Sequence, residues 1–183
     1  IVGVETYCAR RGRLSKCDEK AVNAEGNTYV IDRSGWHLIL LAKNKVGYHN
    51  LCRIVSASFM ADAYYHTSRI DKELLEQYHE GIICCSACLG GELAQKVMKG
   101  LGQVESQEWK VESQESRGGE PPQARRSQEW KEGIEELIEQ GVFAEAEETI
   151  QWFKNLFGDD YYIEMQRHET QLPGADQDVY ARQ

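Results

Sequence analysis

Residues 64–92 read YYHTSRIDKELLEQYHEGIICCSACLGGE, and this stretch decides the fold class. Asp71 stands where a helix needs an N-cap, and Gly81 follows where that helix should stop. The apolar run at 82–86 (IICCS) then predicts a buried strand, and a pair of glycines precedes a second helical pattern, ELAQKVMK. The stretch therefore predicts a helix, a strand and another helix in succession.

Three further apolar runs, on both sides of this stretch, also predict strands. They cover residues 1–6, 37–42 and 160–166. Helical patterns lie between most of the predicted strands. Because strands that alternate with helices are typical of parallel βα units, the whole chain is predicted to adopt an α/β fold.

Two more helices are predicted outside the central stretch. The first spans 44–60, where Asn44 is placed to cap it and apolar residues recur at helical spacing. The second spans 143–157 and ends at Gly158. Its predicted buried residues are Ala146, Ile150, Phe153 and Phe157.

Residues 103–131 do not fit this alternation. ESQEWK at 105–110 recurs as SQEWK at 127–131, in a polar segment without a core-facing period. We interpret the segment as a surface insertion, disordered or loosely helical, between two parts of one domain at 1–102 and 132–183. Its two tryptophans leave two interpretations open, a partner-binding segment or an expanded repeat without function.

The composition of the 183 residues excludes several classes of protein. The chain is 41% hydrophobic and 28% charged, with a mean hydropathy of −0.59, which is typical of a soluble globular domain. No apolar run is long enough to span a membrane, and no signal peptide is visible. We therefore expect a cytoplasmic protein. Because the chain begins inside a predicted strand and without Met, we also expect it to be a segment of a longer protein.

The net charge of −9 is concentrated near the end of the chain. Residues 132–164 contain ten acidic residues and one basic residue, so the remainder of the chain is balanced. The acidic run is interpreted as the solvated face of one or two helices. No basic patch for nucleic acid is visible in this segment.

The six cysteines are predicted to be free thiols, because a chain without a signal peptide meets a reducing compartment. Cys52, Cys84 and Cys85 are expected to be buried as small hydrophobic side chains. Cys88 lies just beyond a predicted strand and is considered below as a candidate metal ligand.

Candidate ligands for a metal ion lie on or close to the predicted strands. Glu5, His37 and Cys88 offer a carboxylate, an imidazole and a thiolate, and His168 follows the last strand. In parallel βα folds the carboxyl ends of the strands meet at one edge, so distant residues can gather around one ion or substrate. The spacing of these residues in the sequence is by itself weak evidence for a metal site. The absence of a CxxC pair argues against a closed structural zinc site.

Five runs of sequence carry a resemblance to a known family. They are GVETY at 3–7, HLILLAKN at 37–44, GYHNLCRIVS at 47–56, the stretch at 64–92, and ETIQWFKNLFGDDYYIEMQRH at 148–168. In this order they closely resemble the N-terminal PHP domain of the alpha subunits of bacterial DNA polymerase III. One departure is His66, which stands where the family usually has lysine, and we interpret it as a surface loop residue.

The resemblance implies a distorted (β/α)7 barrel, here partial and incomplete at both ends, whose strand ends hold up to three divalent metals. Related domains hydrolyse phosphate esters, and in some alpha subunits the domain is regarded as a metal-dependent 3′–5′ exonuclease. The HxH and TDHG-like motifs and the closing Asp-x-His motif of the family are absent from these residues. We therefore expect the chain alone to be catalytically inert.

The family's ligand positions fall on three residues of this sequence. Its acidic ligand matches Glu5, its histidine matches His37, and the cysteine of its CLGGE motif matches Cys88. His168 matches the QRH motif, and its place among the ligands stays open. Since degenerate relatives have lost such residues, their presence favours a metal-binding lineage. Zinc, manganese and magnesium are the cofactors that the resemblance implies.

Three functions are implied by this resemblance. The first is a fragment of the replicative polymerase alpha subunit, a DNA-directed DNA polymerase and nucleotidyltransferase whose polymerising carboxylates lie outside these residues. DNA and other replisome subunits would be partners of the full-length protein. The second is a metal-free scaffold in the same polymerase. The third is a stand-alone PHP phosphoesterase such as a histidinol phosphatase.

Overall fold

The computed structural model describes residues 1–23, 26–108 and 134–165. The strands are β1 (Gly3–Ala9), β2 (Lys20–Val22), β3 (Thr28–Val30), β4 (Gly35–Ala42), β5 (Ile82–Cys85) and β6 (Tyr161–Tyr162). The helices are α1 (Lys45–Ser58), α2 (Lys72–Tyr78), α3 (Glu92–Glu108) and α4 (Ala144–Phe157). None of these helices has the length and apolar character needed to cross a membrane.

Four strands form one sheet in the order β1-β4-β5-β6, and β2 and β3 form a separate antiparallel hairpin. The mixed α/β class agrees with the prediction, but parallel pairing is wrong for two of the three strand pairs. Strands β1 and β4 are antiparallel, as are β4 and β5, and only β5 and β6 are parallel. In the described residues the sheet is open and four-stranded.

The connections explain why these pairs are antiparallel. The described residues between β1 and β4 contain no helix, and the chain returns through loops and the β2–β3 hairpin. Two helices, α1 and α2, lie between β4 and β5, and together they bring the chain back to the end of the sheet where β4 finished. The N–H of Lys43 accordingly donates to the carbonyl of Gly81, at 2.9 Å.

The predicted strands are present, with shifted ends. The first extends to Ala9. In the described residues the last is reduced to Tyr161–Tyr162, and Asp160 belongs to a 3-10 turn instead. The hairpin of β2 and β3 was not predicted, since each strand has only three residues. The pattern there is too short to show an alternation.

The core lies on one face of the sheet, beneath α1, α2 and α4. Alternate strand residues point to this face, and Leu38, Leu40, Ile82 and Cys84 are at most 3% exposed. The ring of Phe153 stacks on Tyr161, with centroids 5.1 Å apart. The remaining members of this cluster are Cys8, Leu51, Ile54, Ile70, Leu74, Leu75 and Phe157.

Both predicted N-caps are confirmed. The side chain of Asn44 accepts the N–H of Gly47 at 3.0 Å, and Asp71 Oδ1 accepts the N–H of Leu74 at 3.0 Å. In α4 the predicted buried positions hold except for Ile150, which is half-buried. Thr149 is buried in its place.

A buried polar cluster fixes the connection between β1 and β4. Asp32 is 2% exposed and accepts hydrogen bonds from Arg11, Ser15 and the N–H of Cys17. The guanidinium of Arg69 is fully buried and donates to backbone carbonyls of the same connection, among them that of Asp32. Because unpaired buried polar groups are costly, this network holds the long loop in one conformation.

All six cysteines are free, as predicted. Cys84 is buried and Cys85 is half-buried, but the prediction that Cys52 is buried is wrong, because it is exposed. The buried side of α1 is defined by Leu51 and Ile54, and each residue turns about 100° around a helix. Cys52 therefore points to solvent.

Two surface predictions are confirmed. His66 is exposed in a loop, with φ of 60°. Six described glutamates of the acidic run are exposed, namely Glu135, Glu136, Glu139, Glu145, Glu147 and Glu148. They form the solvated surface that the charge pattern indicated.

The predicted insertion begins inside a helix. Helix α3 runs to Glu108, so residues 103–108 continue it rather than starting a separate segment. Residues 109–131 of the insertion lie outside the described residues, as does His168. The domain boundaries at 1–102 and 132–183 stay a prediction.

Candidate metal centre

Glu5 and His37 meet across the first two strands of the sheet. Glu5 lies in the middle of β1 and His37 is the third residue of β4. In the register of these strands Tyr7 is opposite His37 and Glu5 is opposite Ile39. Glu5 is thus the diagonal neighbour of His37 on one face of the sheet, a distance that long side chains can bridge.

The three donor atoms form a compact group. Oε1 of Glu5 lies 2.9 Å from Nδ1 of His37, and Sγ of Cys88 lies 3.4 Å from the same nitrogen. All three lie within 4.8 Å of one another. The side chain of Glu5 is 58% exposed and that of His37 is 32% exposed, so the group is open to solvent on one side.

Cys88 reaches this group because the loop after β5 folds back onto β4. The N–H of His37 donates to the carbonyl of Gly90 at 2.9 Å, and the N–H of Gly91 donates to the carbonyl of Cys88 at 2.8 Å. A Cβ on Gly91 would lie 2.2 Å from the carbonyl oxygen of Ser86. Only glycine fits at this position, so the CLGGE sequence is what allows the loop to close against His37.

Neighbouring groups hold the ring and the thiol. The ring of Tyr7 meets the imidazole of His37 edge-on, with centroids 5.0 Å apart. The N–H of Gly90 donates to Sγ of Cys88 at 3.4 Å and fixes the position of the sulfur. The site is therefore supported by its own strands and loop.

The donor set fits a divalent metal ion. A carboxylate oxygen, an imidazole nitrogen and a thiolate sulfur are the ligands that zinc takes in proteins, at about 2.0–2.3 Å. Donors on one ion lie roughly 3–4 Å apart in tetrahedral geometry. The observed separations, up to 4.8 Å, need only a small inward movement, and Glu5 is the exposed member of the group. The thiolate favours zinc over magnesium, which prefers oxygen ligands.

The cause of this convergence differs from the one predicted. The α/β prediction implies that these residues lie at the carboxyl ends of parallel strands. Instead, Glu5 and His37 lie within antiparallel strands, and β5 runs so that its end adjoins the beginning of β4. The structure brings Glu5, His37 and Cys88 together, and their role as metal ligands stays a prediction.

One carboxylate beside the end of β5 was not singled out in the sequence analysis. The N–H of Glu164 donates to Oγ of Ser86 at 2.9 Å, and Tyr162, two residues earlier, pairs with Cys85. Oε1 of Glu164 is buried and has no hydrogen-bond partner among the described residues. Burial and, to a smaller extent, the charge of Glu164 raise the pKa of Cys85. Glu164 was counted in the acidic run at 132–164, which was interpreted as a solvated helix face.

Residues 1–168 match the family model of the PHP domain. The chain is 32% identical over 179 residues to the DNA polymerase III subunit alpha of Borreliella burgdorferi, covering 98% of this chain and 11% of that protein. It is 33% identical over 169 residues to the DNA polymerase III subunit alpha of Chlamydia pneumoniae, covering 92% of this chain and 9% of that protein. It is 32% identical over 170 residues to the DNA polymerase III subunit alpha of Campylobacter jejuni, covering 92% of this chain and 10% of that protein. The chain thus spans about a tenth of the length of these curated relatives.

Proposed function

Since the chain belongs to the PHP domain family, we propose that it serves as the PHP domain of a DNA polymerase III alpha subunit and binds a divalent metal there. The observation that carries the metal proposal is the group of three donor atoms of Glu5, His37 and Cys88, all within 4.8 Å of one another. The names of the relatives support the polymerase assignment.

The reaction proposed for the complete site is hydrolysis of a phosphate ester. A bound divalent ion would act as a Lewis acid and lower the pKa of a bound water to about 7. Glu5 supplies negative charge that offsets part of the charge of the ion. Nδ1 of His37 contacts both other donors, so the ring must present this nitrogen without its proton when all three bind one ion. Cys88 likewise binds as the thiolate.

The proposed substrate is the 3′ end of a DNA strand, as in a 3′–5′ exonuclease. DNA and the other replisome subunits are the proposed partners, reached through the whole polymerase, and the cytoplasm is the proposed location. Nucleotidyl transfer would be carried out by carboxylates outside these residues. His168 stays a proposed additional ligand.

A metal-free scaffold in the same polymerase is the function that competes with this proposal. The exposure of the Glu5 side chain, at 58%, supports the metal proposal, because this carboxylate has no packing role and is available to bind an ion. The stand-alone phosphatase is less well supported, because the relatives compared above are named as polymerase subunits.

The test is metal analysis of the purified polymerase that contains this domain, together with release of nucleotides from a mismatched 3′ end. The variant is Cys88→Ala, and Cys85→Ala is the matched control, because Cys85 is a half-buried cysteine of the adjoining strand. Stoichiometric zinc or manganese that is lost only in Cys88→Ala supports the metal site. No metal in the wild-type polymerase supports the scaffold and contradicts the proposal.

A further inference from the structure

A second cleft lies apart from the metal centre, between the β2–β3 hairpin and the first turns of α3. Its volume is about 480 Å³, within the usual range for small-ligand sites. Trp36 and Arg10 contribute to its wall, and Lys96 and Lys99 contribute from α3. Because Trp36 and His37 are consecutive residues of β4, their side chains point to opposite faces of the sheet. The cleft is therefore separate from the group around His37.

Arg10 is held firmly in this cleft by aromatic rings. Its guanidinium lies 4.5 Å from the ring centroid of Tyr29 and 5.1 Å from that of Trp36. Such contacts fix the orientation of a guanidinium without using its N–H donors. The planar group is therefore oriented in advance for a ligand that accepts hydrogen bonds in its plane.

The donors of Arg10 are poorly used within the described residues. Its Nη1 donates to the carbonyl of Ser34 over a long 3.4 Å. Its Nε is buried and has no hydrogen-bond partner there, and no carboxylate of the described residues pairs with it. Because Nε is buried, an anion in the cleft can reach only the terminal nitrogens of the guanidinium, and Nη1 has just this long contact.

The other charged residues of the cleft already have partners. Nζ of Lys96 lies 2.8 Å from Oε1 of Glu92, and Nζ of Lys99 lies 2.5 Å from Oε1 of Glu145. The lining contains three cations and one acidic residue, although the chain as a whole carries a charge of −9. The lining side chains thus carry a net positive charge, part of which Glu92 beside Lys96 offsets.

We propose that this cleft binds the phosphate group of a phosphate ester, with Arg10 as the bidentate donor. The fork of a guanidinium matches two oxygens of a phosphate. Lys96 and Lys99 lie close enough in the lining to add long-range attraction. The net positive lining favours a phosphate over a singly charged carboxylate. The proposal does not depend on the metal centre.

The direct test is calorimetric titration of the 183-residue chain with inorganic phosphate at low ionic strength. Arg10→Lys keeps the charge and removes the fork, so phosphate affinity should fall about tenfold. Arg53→Lys is the matched control, since Arg53 also lies over an aromatic ring, that of Tyr78, but donates to Asn50. It should bind as the wild type does. No binding to the wild type, or equal binding to Arg10→Lys, would overturn the proposal.

A second measurement covers the case in which Arg10→Lys does not fold. The indole N–H of Trp36, assigned by its loss in Trp36→Phe, should shift in the NMR spectrum of the wild type as phosphate is added. An unchanged Trp36 signal would overturn the proposal, whereas a saturating shift supports it.

Two further titrations distinguish the possible sources of the phosphate group. A deoxynucleoside monophosphate presents a terminal phosphate, and a single-stranded oligonucleotide without a terminal phosphate presents only phosphodiesters. Tighter binding of the first indicates a nucleotide site, and tighter binding of the second indicates a strand-contacting site. A failure of both to compete with inorganic phosphate would contradict a role for the cleft in binding phosphate esters.

Discussion

Gly90 lies directly against the imidazole ring of His37. A Cβ at Gly90 would be 3.1 Å from Cδ2 and 3.2 Å from Nε2 of this ring. The backbone of the same residue accepts the N–H of His37 and donates toward Sγ of Cys88. One glycine therefore positions two of the three proposed ligands.

The first prediction concerns this contact. Gly90→Ala should displace the ring by a few tenths of an ångström and weaken metal binding about tenfold, because ligand orientation controls affinity. Zinc affinity measured by competition with a chelator tests this. Gly102→Ala is the control, since a Cβ there meets no atom within 4 Å. Unchanged affinity in folded Gly90→Ala would contradict the proposed role of the loop.

The second prediction concerns the buried polar cluster. Asp32→Asn should lower the free energy of unfolding by about 2 kcal/mol near pH 7, because Arg11 and its neighbours bind the carboxylate charge. Urea denaturation measures the change. Asp62→Asn, at an exposed position, is the control and should have little effect.

The destabilisation by Asp32→Asn should depend on pH. In the wild type, the hydrogen bond between Asp32 and Arg11 holds the folded-state pKa of Asp32 well below the usual 3.8. The stabilisation is therefore complete above pH 3.8 and declines as the pH falls toward the lowered folded-state value. The difference in stability between wild type and Asp32→Asn should shrink in acid. A difference that stays constant down to about pH 2 would contradict this explanation.

The third prediction concerns thiol reactivity. Cys17 and Cys52 are exposed, whereas Cys8 and Cys84 are buried, and burial raises the pKa of Cys8 to about 12. Because the thiolate is the reactive form, alkylation should modify the exposed pair first and the buried pair only on unfolding. Peptide mass spectrometry over time follows each site. Modification of Cys8 as fast as Cys52 would contradict the described packing.

Features set by nearby residues were predictable from the sequence. The caps at Asn44 and Asp71 depend on a side chain and an N–H three residues later, so the local sequence contains all the information needed. Strand positions followed from apolar runs for the same reason. Whether the strands pair parallel or antiparallel could not be predicted from the local sequence, because it depends on how α1 and α2 together return the chain to β5.

The site was predictable only in part. Glu5, His37 and Cys88 came chiefly from the resemblance, since spacing does not show that residues 51 positions apart meet, as His37 and Cys88 do. Their antiparallel arrangement and the contact of Gly90 with His37 depend on the fold of the loop. Cys52 was misplaced because the buried side of α1 is set by packing against other elements.

The central claim is that one divalent ion binds Glu5, His37 and Cys88 together. The most direct measurement is the absorption spectrum of the 183-residue chain titrated with cobalt(II), whose bond to a thiolate gives a charge-transfer band. We predict a band that saturates at one ion per chain, is absent in Cys88→Ala, and is retained in Cys85→Ala. A wild-type chain without the band, or an undiminished band in Cys88→Ala, would contradict the account.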